Sequence, residues 1–563
     1  MSIRIVLDNQ PEFYTNLDFI EGRVILSLNR AEQVGGIIVK LEGESKTALT
    51  LPSGFDDYGS TQPARLPGTL PPGNVVSESH KILYKVQQVF PTYEDDVANA
   101  STGGNFVLQG GQHEYPFRFR LPLNNACSDP VAMSKMGGLG GLGGYGAGGG
   151  LFGIGGLRVM DGSKQLFLPH VTKTLPPSYT GLPRAAEIRY YVKVTIQRPG
   201  LLKENWRYQV GFKFMPIEPP RPQGSKQEAF ARRPFAFRAR PGDSSTAPPL
   251  AKKRSSLFMT TKDKEAAAAA AAAAAKGPAL PPSVEVSARL PHPSILTCNE
   301  PIPLRIIAKK LAPSHEQVYL TSLQIDLIGT MQLRAHDLNF QHPNRWVVVQ
   351  ANNIEIPVLS DPASEDLNLE HELPSDLWRR VPLPNTVAPS FATCNMQRTY
   401  ALELKLGLSW GRASGGSGLG FLGGRKELSP QTIYLPLNFS SVQVYSSITP
   451  PPELVQSILE QQNKPAASSV ARPPRLPPRT NTGQGVGPSA AAAAAPQHRP
   501  PVSDPLYPPQ LGTPGAPAYD EAPPSYDEAM AEQTTGPFDG MRPRPAFSGE
   551  TNENAPSQIP EKS

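Results

Sequence analysis

The stretch ALELKLGLSW, residues 401–410, sets Leu402, Leu404, Leu406 and Leu408 at every second position, with Glu403, Lys405 and Gly407 between them. A period of two puts alternate side chains on opposite faces of an extended chain, so this run reads as a strand with one buried face. The pattern recurs at Val24, Leu26 and Leu28, and again at Ile37, Val39 and Leu41. In YYVKVTIQ, Tyr190, Val192, Val194 and Ile196 point one way while Tyr191, Lys193, Thr195 and Gln197 point the other. LRIIAKKL and TSLQIDLIG repeat it beyond residue 300. No 3.6-residue period is sustained alongside. Many short strands without intervening helices imply antiparallel sandwiches, so the fold class is all-β. The alternation fills two blocks, 1–215 and 282–446, each long enough for its own core, and predicts two tandem immunoglobulin-like β-sandwiches.

Composition explains the rest of the 563 residues. The 64 prolines and 49 glycines are more than compact sandwiches use and are unevenly placed, so much of the length reads as linker, insertion or tail. Residues 137–156 are a glycine-rich insertion in the first block, and residues 412–424 read as a long hairpin loop in the second. Residues 216–281 read as a basic low-complexity linker, with twelve Lys/Arg against five Asp/Glu from 217 to 281. Residues 447–563 read as a disordered proline-rich tail, acidic beyond 501. The alanine runs 266–275 and 490–495 favour helix but are short for one in water. PPELVQSILEQQ, 451–462, predicts a short amphipathic helix through Leu454, Val455, Ile458 and Leu459, docked on the second sandwich.

Several function classes are excluded. A net charge of +5 gives no global signal for nucleic acid. The three cysteines, Cys127, Cys298 and Cys394, are too scattered for a disulfide framework or a metal motif, which fits a reducing, cytoplasmic setting. The sequence therefore predicts no metal and no cofactor. The N-terminus lacks a signal-peptide pattern, and no apolar run is long enough to span a bilayer. No HExxH, phosphate loop or Gly-x-Ser-x-Gly elbow appears, and Cys394 reads as core, so no enzyme is expected.

The alternating blocks also resemble a known family. FIEGRVILSL (19–28) followed by GGIIVKLEGESKT (35–47) resembles the opening strands of the arrestin N-domain. LQGGQHEYPFRFRLP (108–122), and LPPSYTG (175–181) leading into IRYYVKVTIQRPG, resemble its later segments. LTCNEPIPLRIIAKKL (296–311) and VPLPNTVAPSFATCNMQRTYALELKLGL (381–408) resemble the arrestin C-domain, with PSF-x-T-x-N the most specific piece. With the tail, the chain most resembles an alpha-arrestin, an arrestin-related trafficking adaptor, of fungal type. The resemblance implies an arrestin fold and recruitment of a HECT-type ubiquitin ligase to membrane-protein cargo. It implies a cytoplasmic protein recruited to plasma membrane and endosomes. The buried charged cluster of visual-type arrestins does not map onto the sequence, so no activation switch of that kind is expected.

The motif that fits this expectation is Pro523, Pro524, Ser525 and Tyr526, a PPxY sequence. Two prolines preset a polyproline II backbone, so docking in the aromatic groove of a WW domain costs little conformational entropy. Tyr526 fills a second pocket, and Glu521, Asp527 and Glu528 steer the segment toward a basic rim. Pro505 with Tyr507, and Pro517 with Tyr519, are partial copies that would add avidity. Pro176–Tyr179 repeats the same four residues inside the first block and reads as structural, with Tyr179 partly buried. Pro474, Pro477 and Arg479 match an SH3 ligand, which leaves open a scaffold acting through SH3 partners without ligase recruitment. Lys253 and Arg254 precede Ser256 in a basophilic kinase pattern. The basic linker also suits contact with anionic lipid.

Overall fold

The computed structural model describes residues 1–50, 75–92, 106–127, 173–200, 203–222, 224, 226–239, 281–336, 338–364, 366–367, 369–411 and 430–463. It also describes four short C-terminal pieces: 530–531, 533–538, 543–546 and 554–559.

The first sandwich holds β1 (Ser2–Leu7), β2 (Phe19–Leu28), β3 (Glu32–Val34), β4 (Gly36–Thr50), β5 (Val75–Phe90), β6 (Phe106–Leu108), β7 (Gly111–Arg120), β8 (Tyr179–Leu182), β9 (Ala186–Gln197) and β10 (Trp206–Phe212). One sheet runs β1-β2-β7, a second runs β10-β9-β4-β5 with β8 paired to β9, and β3 pairs with β6. The alternation predicts these faces well. Val24, Leu26, Ile37, Val39, Leu41, Val192, Val194 and Ile196 are all fully buried. Gly22 in β2 is fixed by close approach: a Cβ there would lie 2.3 Å from the Val6 carbonyl oxygen on β1.

The second sandwich holds β11 (Glu228–Ala236), β12 (Ser283–Pro291), β13 (Ile295–Thr297), β14 (Arg305–Lys310), β15 (Val318–Ala335), β16 (Leu338–Pro357), β17 (Glu370–Glu372), β18 (Phe391–Ala392), β19 (Met396–Trp410) and β20 (Gln431–Tyr445). Its sheets run β11-β12-β14-β17 and β13-β20-β19-β15-β16, with β18 paired to β19. Leu402, Leu404, Leu406 and Leu408 on β19 are fully buried. The hairpin between β19 and β20 is present, while its 412–424 loop lies outside the described residues.

Two boundaries differ from the sequence reading. The expected linker 216–281 contains β11, which pairs along its whole length with β12. The strand is half exposed and carries Pro234, so it shows no clean alternation. An edge strand tolerates proline because its outer side needs no ladder donor. The tail expected from 447 begins with ordered chain. The Glu218 N–H donates to the Ile448 carbonyl at 2.9 Å, and helix α1 (Pro452–Asn463) follows. Leu454 of α1 is buried against Phe13, Leu17, Leu123, Met215 and Ile217. The helix therefore docks on the first sandwich, not the second. Amphipathicity identifies the face a helix buries but not its partner.

The cores meet. Met331, Leu333 and Ala335 of β15 and Met396 of β19 are buried in the cluster built on the first sandwich. No helix among the described residues is long and apolar enough to cross a membrane.

Candidate functional site

Pro523, Pro524, Ser525 and Tyr526 lie outside the described residues, as do Pro505, Tyr507, Pro517, Tyr519, Pro474, Pro477, Arg479 and Ser256. The chain just after the PPxY sequence is described, and it is docked on the first sandwich. Ala531 is 2% exposed. Arg120 donates to the Thr534 carbonyl. Phe538 meets Phe13 edge-on with centroids 6.4 Å apart. Arg544 lies over the Phe538 ring at 4.4 Å, donates to Asp18 Oδ2 at 2.8 Å and to the Phe13 carbonyl at 2.9 Å. Further on, Arg189 donates to the Ala555 carbonyl, the Asn554 side chain accepts from the Gly211 N–H, and Ile559 is buried. No local pattern signals this half-buried charge pair, because Arg544 and Asp18 are 526 residues apart.

The second copy of the motif is locked into the fold. Pro176, Pro177 and Ser178 are buried and Tyr179 is half-buried. The Tyr190 hydroxyl donates to the Pro176 carbonyl at 2.6 Å. The Ser178 N–H donates to the Phe214 carbonyl, and Ser178 Oγ accepts from the Phe214 N–H, both at 2.9 Å. The Tyr179 ring lies 6.4 Å from Phe391 of the second sandwich. A WW groove cannot reach these prolines without unfolding the sandwich.

The PSF-x-T-x-N segment lies at the junction of the two sandwiches. Asn395 accepts from Ser45 Oγ at 2.7 Å and donates to the Ser45 carbonyl at 3.1 Å and to Thr47 Oγ1 at 3.2 Å. Thr47 donates to the Arg334 carbonyl at 2.5 Å. Glu78 of β5 collects donors from the second sandwich: Arg334 at 2.9 Å and the His336 N–H at 2.6 Å. Burial works against its charge, yet the bonds from His80, Arg334 and His336 hold its carboxyl down at about 2. A seam of hydrogen-bonded polar groups fixes register more sharply than apolar contact alone.

Behind Glu78 sit His80, Cys127 and Cys394. His80 Nε2 is 2.5 Å from Glu78, and His80 Nδ1 is 3.3 Å from Cys127 Sγ. Cys394 Sγ is 3.5 Å from Cys127 Sγ. His80 and Cys127 are fully buried, and Cys394 is half-buried. A hydrogen bond to Cys394 and burial push the Cys127 thiol well up. Burial pushes the Cys298 thiol up to about 12. A nucleophilic cysteine needs the opposite shift and access to substrate.

Two tandem β-sandwiches joined by a polar seam are the arrangement of the arrestin fold. Residues 3–141 match the family described as Arrestin (or S-antigen), N-terminal domain. The chain is 29% identical over 128 residues to "Arrestin-related trafficking adapter 10" of Lachancea thermotolerans, covering 22% of this chain and 28% of that protein. It is 30% identical over 119 residues to the protein of that name from Candida glabrata, covering 21% and 22%. The matched stretch thus spans about a quarter of each relative's length. The similarity is thus to an arrestin N-terminal domain over residues 3–141 and to these two fungal proteins over about a fifth of the chain.

Proposed function

We propose that the chain is a trafficking adaptor that brings a WW-domain HECT-type ubiquitin ligase to membrane-protein cargo, a transporter or receptor. The observation that carries this reading is a PPxY sequence at 523–526 lying just ahead of chain that is docked on an arrestin-type body. The two similar proteins are named as trafficking adapters, which supports the adaptor role. In this reading Pro523 and Pro524 stack in the ligase groove, Ser525 spaces them, and Tyr526 fills the second pocket. Pro505, Tyr507, Pro517 and Tyr519 add avidity. Loops of the sandwiches hold the cargo in the cytoplasm at plasma membrane or endosome, and the basic linker assists at the lipid surface. Phosphorylation of Ser256 would reduce that linker's positive charge. The chain itself performs no catalysis; it raises the ligase's local concentration at a cargo lysine.

The test is binding of the full chain to a ligase WW domain, with Tyr526→Ala as comparison. Micromolar-range binding lost in the variant supports the adaptor. Binding that survives in Tyr526→Ala, or is absent in both, overturns it. Retained pull-down through Pro474, Pro477 and Arg479 would then favour the SH3 scaffold.

A further inference from the structure

Three side chains from distant parts of the sequence converge where the two sandwiches meet. His80 comes from β5, Cys127 from the segment after β7, and Cys394 from the bend before β19. Their Nδ1 and Sγ atoms all lie within 4.8 Å of one another. We propose that His80, Cys127 and Cys394 form a binding site for a thiophilic divalent cation, Zn²⁺ by its donor set, that staples the first sandwich to the second.

The spacing fits the chemistry. A tetrahedral zinc with bonds of about 2.3 Å to sulfur and 2.0–2.1 Å to nitrogen sets two sulfurs about 3.8 Å apart and sulfur and nitrogen about 3.6 Å apart. The sulfurs here are 3.5 Å apart, and Cys127 Sγ is 3.3 Å from His80 Nδ1. Small outward shifts of a few tenths of an ångström accommodate the ion. One imidazole and two thiols are borderline-to-soft donors, which select zinc over magnesium or calcium. Two thiolates balance the ion's charge, so the buried site carries no net charge once the thiol protons leave.

The surroundings hold these groups in place. Glu78 accepts from His80 Nε2 and so turns Nδ1 toward the sulfurs, the carboxylate–histidine–metal arrangement. Glu78 is itself anchored by Arg334 and the His336 N–H. Cys127 follows two backbone bonds, Ala126 N–H to the Ile82 carbonyl and Asn125 N–H to the Lys173 carbonyl. Cys394 sits between Thr393 and Asn395, both buried in the seam's hydrogen bonds. The fourth coordination position falls to water on the side of Cys394, the least buried of the three ligands. Because two ligands belong to one sandwich and one to the other, the ion would lock their relative orientation.

The test titrates the reduced, chelator-treated full chain with Co²⁺ and measures zinc in the chain as purified. The expected result is one cation per chain, with thiolate-to-cobalt absorption in the near ultraviolet. Cys394→Ser, nearly isosteric and at the half-buried position, removes that absorption while far-ultraviolet circular dichroism stays native. Glu78→Gln weakens binding about 10–100-fold. Cys298→Ser, whose thiol donates to the Val387 carbonyl elsewhere in the second sandwich, leaves binding intact. Any of three results overturns the proposal: no thiolate–cobalt absorption, absorption that survives in Cys394→Ser, or a Cys127–Cys394 disulfide in the purified protein by mass spectrometry.

Discussion

Pro-Pro-Ser-Tyr occurs twice, at 176–179 and at 523–526. The first copy is a piece of sandwich: its backbone is paired with Phe214, its proline carbonyl is capped by Tyr190, and its tyrosine faces the second sandwich. The second sits among prolines, alanines and acids that supply no alternating apolar face. Four identical residues therefore stand in two different sequence settings. A recognition motif is defined by whether its backbone groups and rings are already satisfied within the fold, and only then by its letters.

This contrast can be broken or sharpened by experiment. The largest effect is expected from Tyr190→Ala. It removes a ring that is 1% exposed and strips the Pro176 carbonyl of its donor, at a cost of about 3–5 kcal/mol in chemical denaturation. If stability hardly changed, the body copy would not be held as described. Next comes a matched serine pair. Ser178→Ala leaves the buried Phe214 N–H without an acceptor and should cost about 1–3 kcal/mol. Ser525→Ala should alter stability by less than about 0.5 kcal/mol. Equal effects at the two serines would erase the distinction. Tyr526→Ala should weaken WW-domain binding at least tenfold, about 1.4 kcal/mol, with no change in melting temperature. Calorimetric titration and a thermal scan of the same sample check both halves of that statement.

The smallest effect concerns acid. Burial disfavours charge on Glu44 of β4, but Lys46 and Lys81 outweigh it and hold the carboxyl at about 2, below its ordinary 4.5. A carboxyl lowered by folding contributes stability that is complete above about 4.5 and fades as pH falls toward 2. The first sandwich should therefore lose stability across that window, and Glu44→Gln should flatten the dependence. Denaturation midpoints at a series of pH values measure it. An unchanged slope in Glu44→Gln would show that other carboxyls set the acid response.

The sequence exposes what repeats locally. Leu402 to Leu408 declare their strand because a two-residue period survives without any knowledge of neighbours. The edge strand β11 does not, since Pro234 and its half-exposed residues blur the alternation. α1 reveals its apolar stripe through Leu454 and Ile458 but not that the stripe meets Phe13 and Met215. The seam is least legible. Cys127 and Cys394 are 267 residues apart, and Glu78 finds Arg334 at a separation of 256. No spacing rule links such residues; only the packing of one sandwich against the other brings them together. The PSF-x-T-x-N segment marked the place in the sequence without revealing that it was a joint.

The docking of Ala531 and Thr534 has a consequence for reach. Tyr526 lies four residues before Met530, and four extended residues span at most about 14 Å. A ligase domain gripping Tyr526 would thus be moored at the rim of the first sandwich for as long as that downstream anchor holds. The set of lysines it serves would be a narrow ring around the mooring, on cargo or on the chain's own first sandwich. Lengthening the leash between Tyr526 and Met530 with glycine and serine would widen that ring and redistribute the ubiquitylated lysines.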